Sequence, residues 1–248
     1  NLVLIGDQMQ LQQPLQGTHP GESGLSLLDY YLDDEAIIPP DRGIFLDITW
    51  RLHPEICDYV SECFYKGELL PHPDNRNRSI DPPQGGNDLV GKPAGIVFLP
   101  VEHSGNSRYS DEEVSVAKRV FEELIGRPSR DREGKPDAPL AIEDFLFIAP
   151  YNAQVRRLRD ALPDGARVGS VDKFQGQEAK VVILSLCASY GEASPRGIGF
   201  LLNRHRMNVA VSRGQTLAVV IGDPRIALSP ANSVSEMACL NLLAKLST

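Results

Sequence analysis

The chain has 248 residues, 42% of them apolar and 23% charged, which suits one large domain or a domain and a half and excludes a disordered or low-complexity chain. No apolar run approaches the length needed to cross a bilayer, and no signal peptide is visible, so no membrane partner is expected. A net charge of −8 means that the chain as a whole repels a phosphate backbone, and any nucleic-acid contact must come from a local groove.

In chain order, Asn1 is followed at once by the apolar run Leu2-Val3-Leu4-Ile5 and by Gly6-Asp7, so the sequence reads as a piece of a longer protein. The run predicts a buried parallel strand whose carboxyl end delivers an acid to a crevice. Gln8 to Leu11 leads into a loop rich in Gln, Gly and Pro up to Gly24. Ser26 to Leu32 predicts a short helix and Ile44 to Ile48 a second strand. Pro54 suits the first turn of a helix to about Phe64, with Ile56, Val60 and Phe64 on one face. Residues 72–94 are polar and rich in Pro, Gly and Asn, the composition of a surface excursion. Within them Gly86-Asn87-Asp88-Leu89-Val90-Gly91-Lys92 imitates a phosphate-binding loop, but Pro93 stands where a hydroxyl must hold magnesium. With no strand before it and a strand after it, the match is accidental.

Ile96 to Leu99 predicts a strand, and Ser110-Asp111-Glu112-Glu113 a capping box that opens a helix to about Ile125. Its acids suit the helix dipole better than catalysis. Arg127 to Lys135 is a basic loop, read as a solvated linker with nucleic-acid contact as the alternative. Phe145 to Ala149 is a strand, and Pro150-Tyr151-Asn152 caps a helix carrying Gln154, Arg156, Arg157 and Arg159. Arg167 to Ser170 is a strand, Val171 to Ala179 a loop, Val181 to Leu186 a buried strand, Thr216 to Ile221 a last strand, and Ser235 to Leu246 an amphipathic helix. The alternation predicts an α/β fold with a mostly parallel sheet covered on both faces, with its site in loops at the carboxyl ends of strands. Cys57, Cys63, Cys187 and Cys239 form no C-x-x-C pair, so buried thiols, a reducing cytoplasmic setting and no metal site are expected.

Between the last two strands lies Asn203 to Arg213, which predicts a helix with Met207, Ala210 and Val211 inward. Arg206 and Arg213 are seven residues apart and would share one azimuth on its flank. A fixed guanidinium pair suits a polyphosphate, because its planar donors are directed and its charge is not lost. A solvated charged face fits the same spacing.

Five stretches together carry a resemblance. Gly6-Asp7-Gln8-Met9-Gln10-Leu11, Trp50-Arg51-Leu52-His53-Pro54, Ala149-Pro150-Tyr151-Asn152-Ala153-Gln154, Val171-Asp172-Lys173-Phe174-Gln175-Gly176-Gln177-Glu178 and Arg206-Met207-Asn208-Val209-Ala210-Val211-Ser212-Arg213 occur in the order of motifs III to VI of superfamily 1 helicases. The chain resembles the group that includes the nonsense-mediated-decay RNA helicase. Its Q-L-Q-Q-P-L-Q-G-T-H-P-G stretch looks most like bacterial members fused to a RecB-like nuclease.

The resemblance implies a RecA-like second motor domain over residues 21–248, with residues 1–20 closing the first. It implies ATP and Mg²⁺ bound with an N-terminal RecA-like domain of the same protein, and single-stranded DNA or RNA as the track. By resemblance Gln10 senses the γ-phosphate and Arg51 and Arg213 reach it as arginine fingers. Trp50 stacks on adenine where the family has tyrosine, with core packing as the alternative, and Glu178, Asp7 and Arg206 lie near the nucleotide. Gln175, Gly176, Tyr151 and Asn152 touch the nucleic-acid backbone, although Tyr151 and Asn152 also fit a plain helix cap. Gln177 and Gly214 depart from the family's usual basic residue and alanine. No Walker lysine is present, so hydrolysis by this chain alone is not expected, and a non-catalytic binding module that keeps the fold is the alternative.

Overall fold

The apolar runs pair largely as their composition dictates in the computed structural model, which describes residues 3–11, 17, 20–33, 35–82, 88–192 and 196–247. In chain order the elements are α1 (Leu27–Leu32), β1 (Ile48–Thr49), α2 (Pro54–Phe64), β2 (Leu70–Pro71), β3 (Ser79–Ile80), β4 (Gly95–Pro100), α3 (Asp111–Leu124), β5 (Ser129–Arg130) and β6 (Pro136–Asp137). There follow β7 (Phe145–Ile148), α4 (Asn152–Ala161), β8 (Arg167–Gly169), β9 (Ala179–Ser185), α5 (Ile198–Leu201), α6 (Arg204–Val211), β10 (Gly214–Gly222) and α7 (Val234–Leu246).

The central sheet has the order β4-β10-β9-β7-β8, and every pairing in it is parallel. Side chains alternate across the pleat, so Phe145, Phe147, Val181, Ile183, Val219 and Ile221 face one layer and Leu146, Ile148, Val182, Leu184 and Val220 the other. Val120, Phe121 and Leu124 of α3 and Leu158 of α4 close the first layer. Ile56, Val60 and Phe64 of α2, Met207 of α6 and Leu243 of α7 close the second. Helices on both faces of a parallel sheet are the RecA-like arrangement. At Gly214 the β9–β10 register shifts, and an added Cβ would meet the Leu217 carbonyl at 3.1 Å, which favours glycine over the family's alanine.

Several expectations are corrected. The described part of the Leu2–Ile5 run is no strand: Val3 is 79% and Ile5 94% exposed, because no strand among the described residues lies beside it. The Ile44–Ile48 strand shrinks to β1, which pairs only with β2, while Ile44 and Leu46 point outward. Residues 72–82 and 127–137 are not plain loop, since β3, β5 and β6 form a small antiparallel sheet. Gly86 and Asn87 of the false phosphate loop lie outside the described residues, as do 12–16 in the Gln-rich loop, and Asp88 to Lys92 has neither strand nor helix. The arginine helix stops at Val211, and from Met207 on it is buried all round rather than on one stripe, while Arg204 to Arg206 are partly exposed.

The capping box is half a box. The Ser110 hydroxyl accepts from the Glu113 amide at 3.1 Å, but the Ser110 amide donates to Gln154 Oε1 at 2.9 Å. The Glu113 carboxylate turns inward instead. It accepts from the Ser185 hydroxyl at 2.6 Å, from the Cys187 amide at 3.0 and 2.9 Å, and faces His103 Nε2 at 2.9 Å. This buried knot ties α3 to the carboxyl end of β9 and holds Cys187 at a φ of 56°, a conformation costly for a residue with a Cβ.

Candidate nucleotide and nucleic-acid edges

Because α6 runs antiparallel to the strands and feeds β10 with a two-residue link, it delivers Arg213 to the amino edge of the sheet, where Gly214 pairs with Ala179. The site expected at the carboxyl edge is therefore split between the two edges. Arg213 is only 2% exposed and lies past the helix end, so it does not share an azimuth with Arg206. Its Nε donates to Val209 O at 3.0 Å, Nη1 to Gln177 O at 3.2 Å and Nη2 to Gln10 Oε1 at 3.2 Å. Among the described residues no carboxylate pairs with it. Burial, then the neighbouring Arg51 charge, pushes the guanidinium down to about 10, which leaves it a cation at neutral pH.

Arg51 reaches the same place from far along the chain. Its Nε meets Glu178 Oε2 at 2.5 Å and its Nη1 donates to Ser212 O at 3.3 Å. The fully buried Asn75 fixes this turn by donating to Thr49 O at 3.0 Å and Leu52 O at 2.9 Å, and the His53 amide donates to Gln215 O at 2.9 Å. Glu178 also accepts from Gln215 Nε2 at 2.8 Å. Burial alone would raise the Glu178 carboxyl, but Arg51 and Gln215 outweigh it and the net is a value below the ordinary 4.5. The pair's contribution is thus complete above that ordinary value and lost as pH falls through the depressed one. Glu178→Gln is expected to flatten the acid limb of a thermal-unfolding profile by less than about 1 kcal/mol, the scale of a half-exposed pair.

Gln10 and Asp7 are held against α6 by a chain of bonds. Asp7 Oδ2 accepts from Gln10 Nε2 at 2.8 Å and from the Tyr65 hydroxyl at 2.6 Å, and Asn208 Nδ2 donates to Met9 O and to the Tyr65 oxygen, each at 2.9 Å. Arg51, Arg213, Gln10 and Glu178 therefore share the amino edge, with Asp7 one bond behind Gln10. Trp50, the single tryptophan, is 57% exposed beside them and is not core. Its ring stacks on His72 at 3.8 Å, and the Arg132 guanidinium lies 4.9 Å from its centroid.

The carboxyl edge gathers other residues. Pro150 and Ser170, which follow β7 and β8, line a hollow with Arg206 and Met207. Arg206 lies 4.3 Å over the Phe200 ring and 3.6 Å from Asp172, so it stands apart from Arg51 and Arg213. Tyr151 is buried, packs on Phe200 at 5.4 Å and is the N-cap of α4 without a side-chain cap bond, while Asn152 is exposed. Gln175 and Gly176 are not part of this edge: they are exposed on the segment that crosses from the end of β8 to the start of β9, just before Gln177 and Glu178 of the amino edge, and Gly176 turns at a φ of 79°.

Residues 24–225 match the family model described as AAA domain. The chain belongs to this AAA domain family. Similar proteins include the DNA polymerase alpha-associated DNA helicase A of Schizosaccharomyces pombe, 28% identical over 90% of the chain and 33% of that protein. The putative helicase MOV-10 of Gallus gallus is 30% identical over 91% of the chain and 26% of its own length. The DNA-binding protein SMUBP-2 of Mesocricetus auratus is 30% identical over 90% and 22%. The chain thus spans a third or less of the length of these relatives. Solved structures of the PRRSV helicase and of arterivirus nonstructural protein 10 are 18% identical over 73% and 72% of the chain, and 23% and 25% of theirs. Their TM-scores are 0.31 and 0.32. The helicase names of the relatives support the superfamily 1 helicase-like RecA fold that the motifs resemble.

This AAA domain brings in residues that the motifs did not single out. Arg132 comes from the basic loop read as a linker, and Arg78 lies near Glu178 with a buried Nε that has no partner among the described residues. Burial and the Arg132 charge push Arg78 below the ordinary arginine value. Only their basic charge marked them in sequence; their partners lie tens of residues away. No helix among the described residues is long and apolar enough to cross a membrane.

Proposed function

We propose that the chain is the second motor domain of an ATP-dependent superfamily 1 helicase, residues 21–248, with residues 1–20 belonging to the end of a first RecA-like domain. The observation that carries this is the convergence of Arg51 and Arg213, from opposite ends of the chain, beside Gln10 and Glu178 on one open edge. A buried guanidinium whose hydrogen-bond partners are carbonyl and amide oxygens, with Glu178 and Asp7 near but not paired to it, keeps most of its charge available, and a polyphosphate is the ligand that fits. The Mg²⁺ of the nucleotide is assigned to the first domain on the resemblance alone.

ATP, when bound, supplies a γ-phosphoryl group whose transfer spreads negative charge over its oxygens. Arg213, fixed by three acceptors, and Arg51, steered by Glu178, present directed donors to that charge. Trp50 offers an aromatic face for adenine, and Asp7 orients Gln10. At the other edge Tyr151 and Asn152, and on the segment crossing between the edges Gln175 and Gly176, follow the backbone of single-stranded DNA or RNA. A helix of eight residues is about 12 Å long, so α6 is a rigid strut that carries a shift at Arg213 to the nucleic-acid edge.

Four cysteines without disulfides fit a reducing cytoplasm. A fused RecB-like nuclease is part of the same proposal, supported by the Gln-rich stretch after Asp7 alone. The test is ATPase turnover of the full-length protein with single-stranded DNA and RNA side by side. Turnover that rises with a strand is expected; a strand that binds without raising turnover would favour a non-catalytic binding module.

A further inference from the structure

The ring of Phe200 carries two guanidiniums, Arg196 at 4.7 Å and Arg206 at 4.3 Å from its centroid. Arg206 has one carboxylate near it, Asp172 at 3.6 Å, and Arg196 has none among the described residues. Two like charges on one ring repel each other, and the ring's quadrupole offsets that repulsion only in part. In a chain of net charge −8, such a local excess of cation calls for an anion.

Its neighbours define the class of anion. The hollow beside Arg206 is small and its apolar lining, Val171, Leu184, Leu186 and Leu201, is buried, so a ligand would lie over the guanidiniums and the ring rather than inside it. Helix α4 follows Pro150, which lines this hollow, and has no acid in its first turn, so its first amides also favour negative charge. An aromatic ring flanked by cations is a recurring part of a single-strand groove. We propose that Arg196, Arg206 and Phe200 form a clasp for the phosphodiester backbone of a single strand, with Asp172 as the carboxylate that the strand displaces. This rests on the helicase reading above and adds residues to its nucleic-acid edge.

The test is the salt dependence of binding of the full-length protein to fluorescent oligo-dT and oligo-U. The double variant Arg196→Gln, Arg206→Gln is expected to bind about tenfold more weakly and to lower the slope of log affinity against log salt by about 1.4, two contacts at about 0.7 each. Lysine at both positions restores the slope, because charge and not fold sets it. Asp172→Asn, at an exposed position, tightens binding by a factor of a few and guards against a folding artefact. A slope change on only one of the two strands also supports the clasp and names its ligand. An unchanged slope in the double glutamine variant, or no tightening by Asp172→Asn, overturns the clasp while leaving strand-stimulated ATPase intact. No strand binding by the parent protein overturns both the clasp and the helicase reading.

Discussion

Arg213→Ala in the full-length protein is expected to lower strand-stimulated ATP turnover by about 10³ or more, with ATP affinity changing far less. The reason lies in where the guanidinium sits. It is held by Val209 O, Gln177 O and Gln10 Oε1, pre-aimed in a buried site, so it costs no reorganisation when charge develops on the phosphoryl group. Arg213→Lys is expected to be nearly as slow, because a lysine lacks the planar fork that meets three acceptors at once. Since the alanine variant also strands those acceptors, Arg51→Ala is the companion: its side chain is partly exposed and its removal leaves Glu178 solvated and paired with Gln215. Steady-state kinetics on both, beside thermal unfolding, separates turnover from folding. Parent-like turnover in either variant would remove that arginine from the mechanism.

Glu113→Leu is expected to cost about 3–5 kcal/mol of stability, read from urea denaturation. The carboxylate is fully buried and serves the Ser185 hydroxyl, the Cys187 amide and His103, and leucine would leave all of them without an acceptor in a dry site. Glu113→Gln keeps the shape and one acceptor and should cost less. Glu112→Ala, one residue earlier and exposed, should cost no more than about 1 kcal/mol. Burial, the largest single influence, pulls His103 down, but Glu113 with Glu112 and Asp223 together pull it up, and the net is a raised value. Stability from that shift is complete below the ordinary 6.5 of histidine and is lost as pH rises through the raised value.

The sheet was legible where local pattern and tertiary role coincide. Phe145 to Ala149 and Thr216 to Ile221 are continuous apolar runs because both faces of the sheet are covered, and Pro54 with Ile56, Val60 and Phe64 marked α2 to its last residue. Leu2 to Ile5 and Ile44 to Ile48 have the same composition yet form little or no strand, since pairing needs a neighbour that composition does not reveal. The convergence of Arg51, Glu178 and Arg213 followed from the motifs. The edge on which they meet did not, because it depends on the direction of α6 and the tightness of its link to β10. Arg206 was misjudged for a related reason: a helix that ends at Val211 breaks the azimuth argument before Arg213 is reached. Glu113, the last residue of the expected capping box, belongs to a buried knot with Ser185 and Cys187, more than seventy residues away, and no periodicity records that.

The claim that Arg51 and Arg213 meet the charge that develops at the γ-phosphoryl group is tested most directly by comparing affinities for ADP and for ADP with aluminium fluoride, a mimic of the phosphoryl group in transit. The two arginine variants of the full-length protein are expected to hold ADP nearly as the parent does and to lose about 10²-fold or more of the tighter binding to the fluoride complex. Equal losses for the two ligands, or none, would contradict the account.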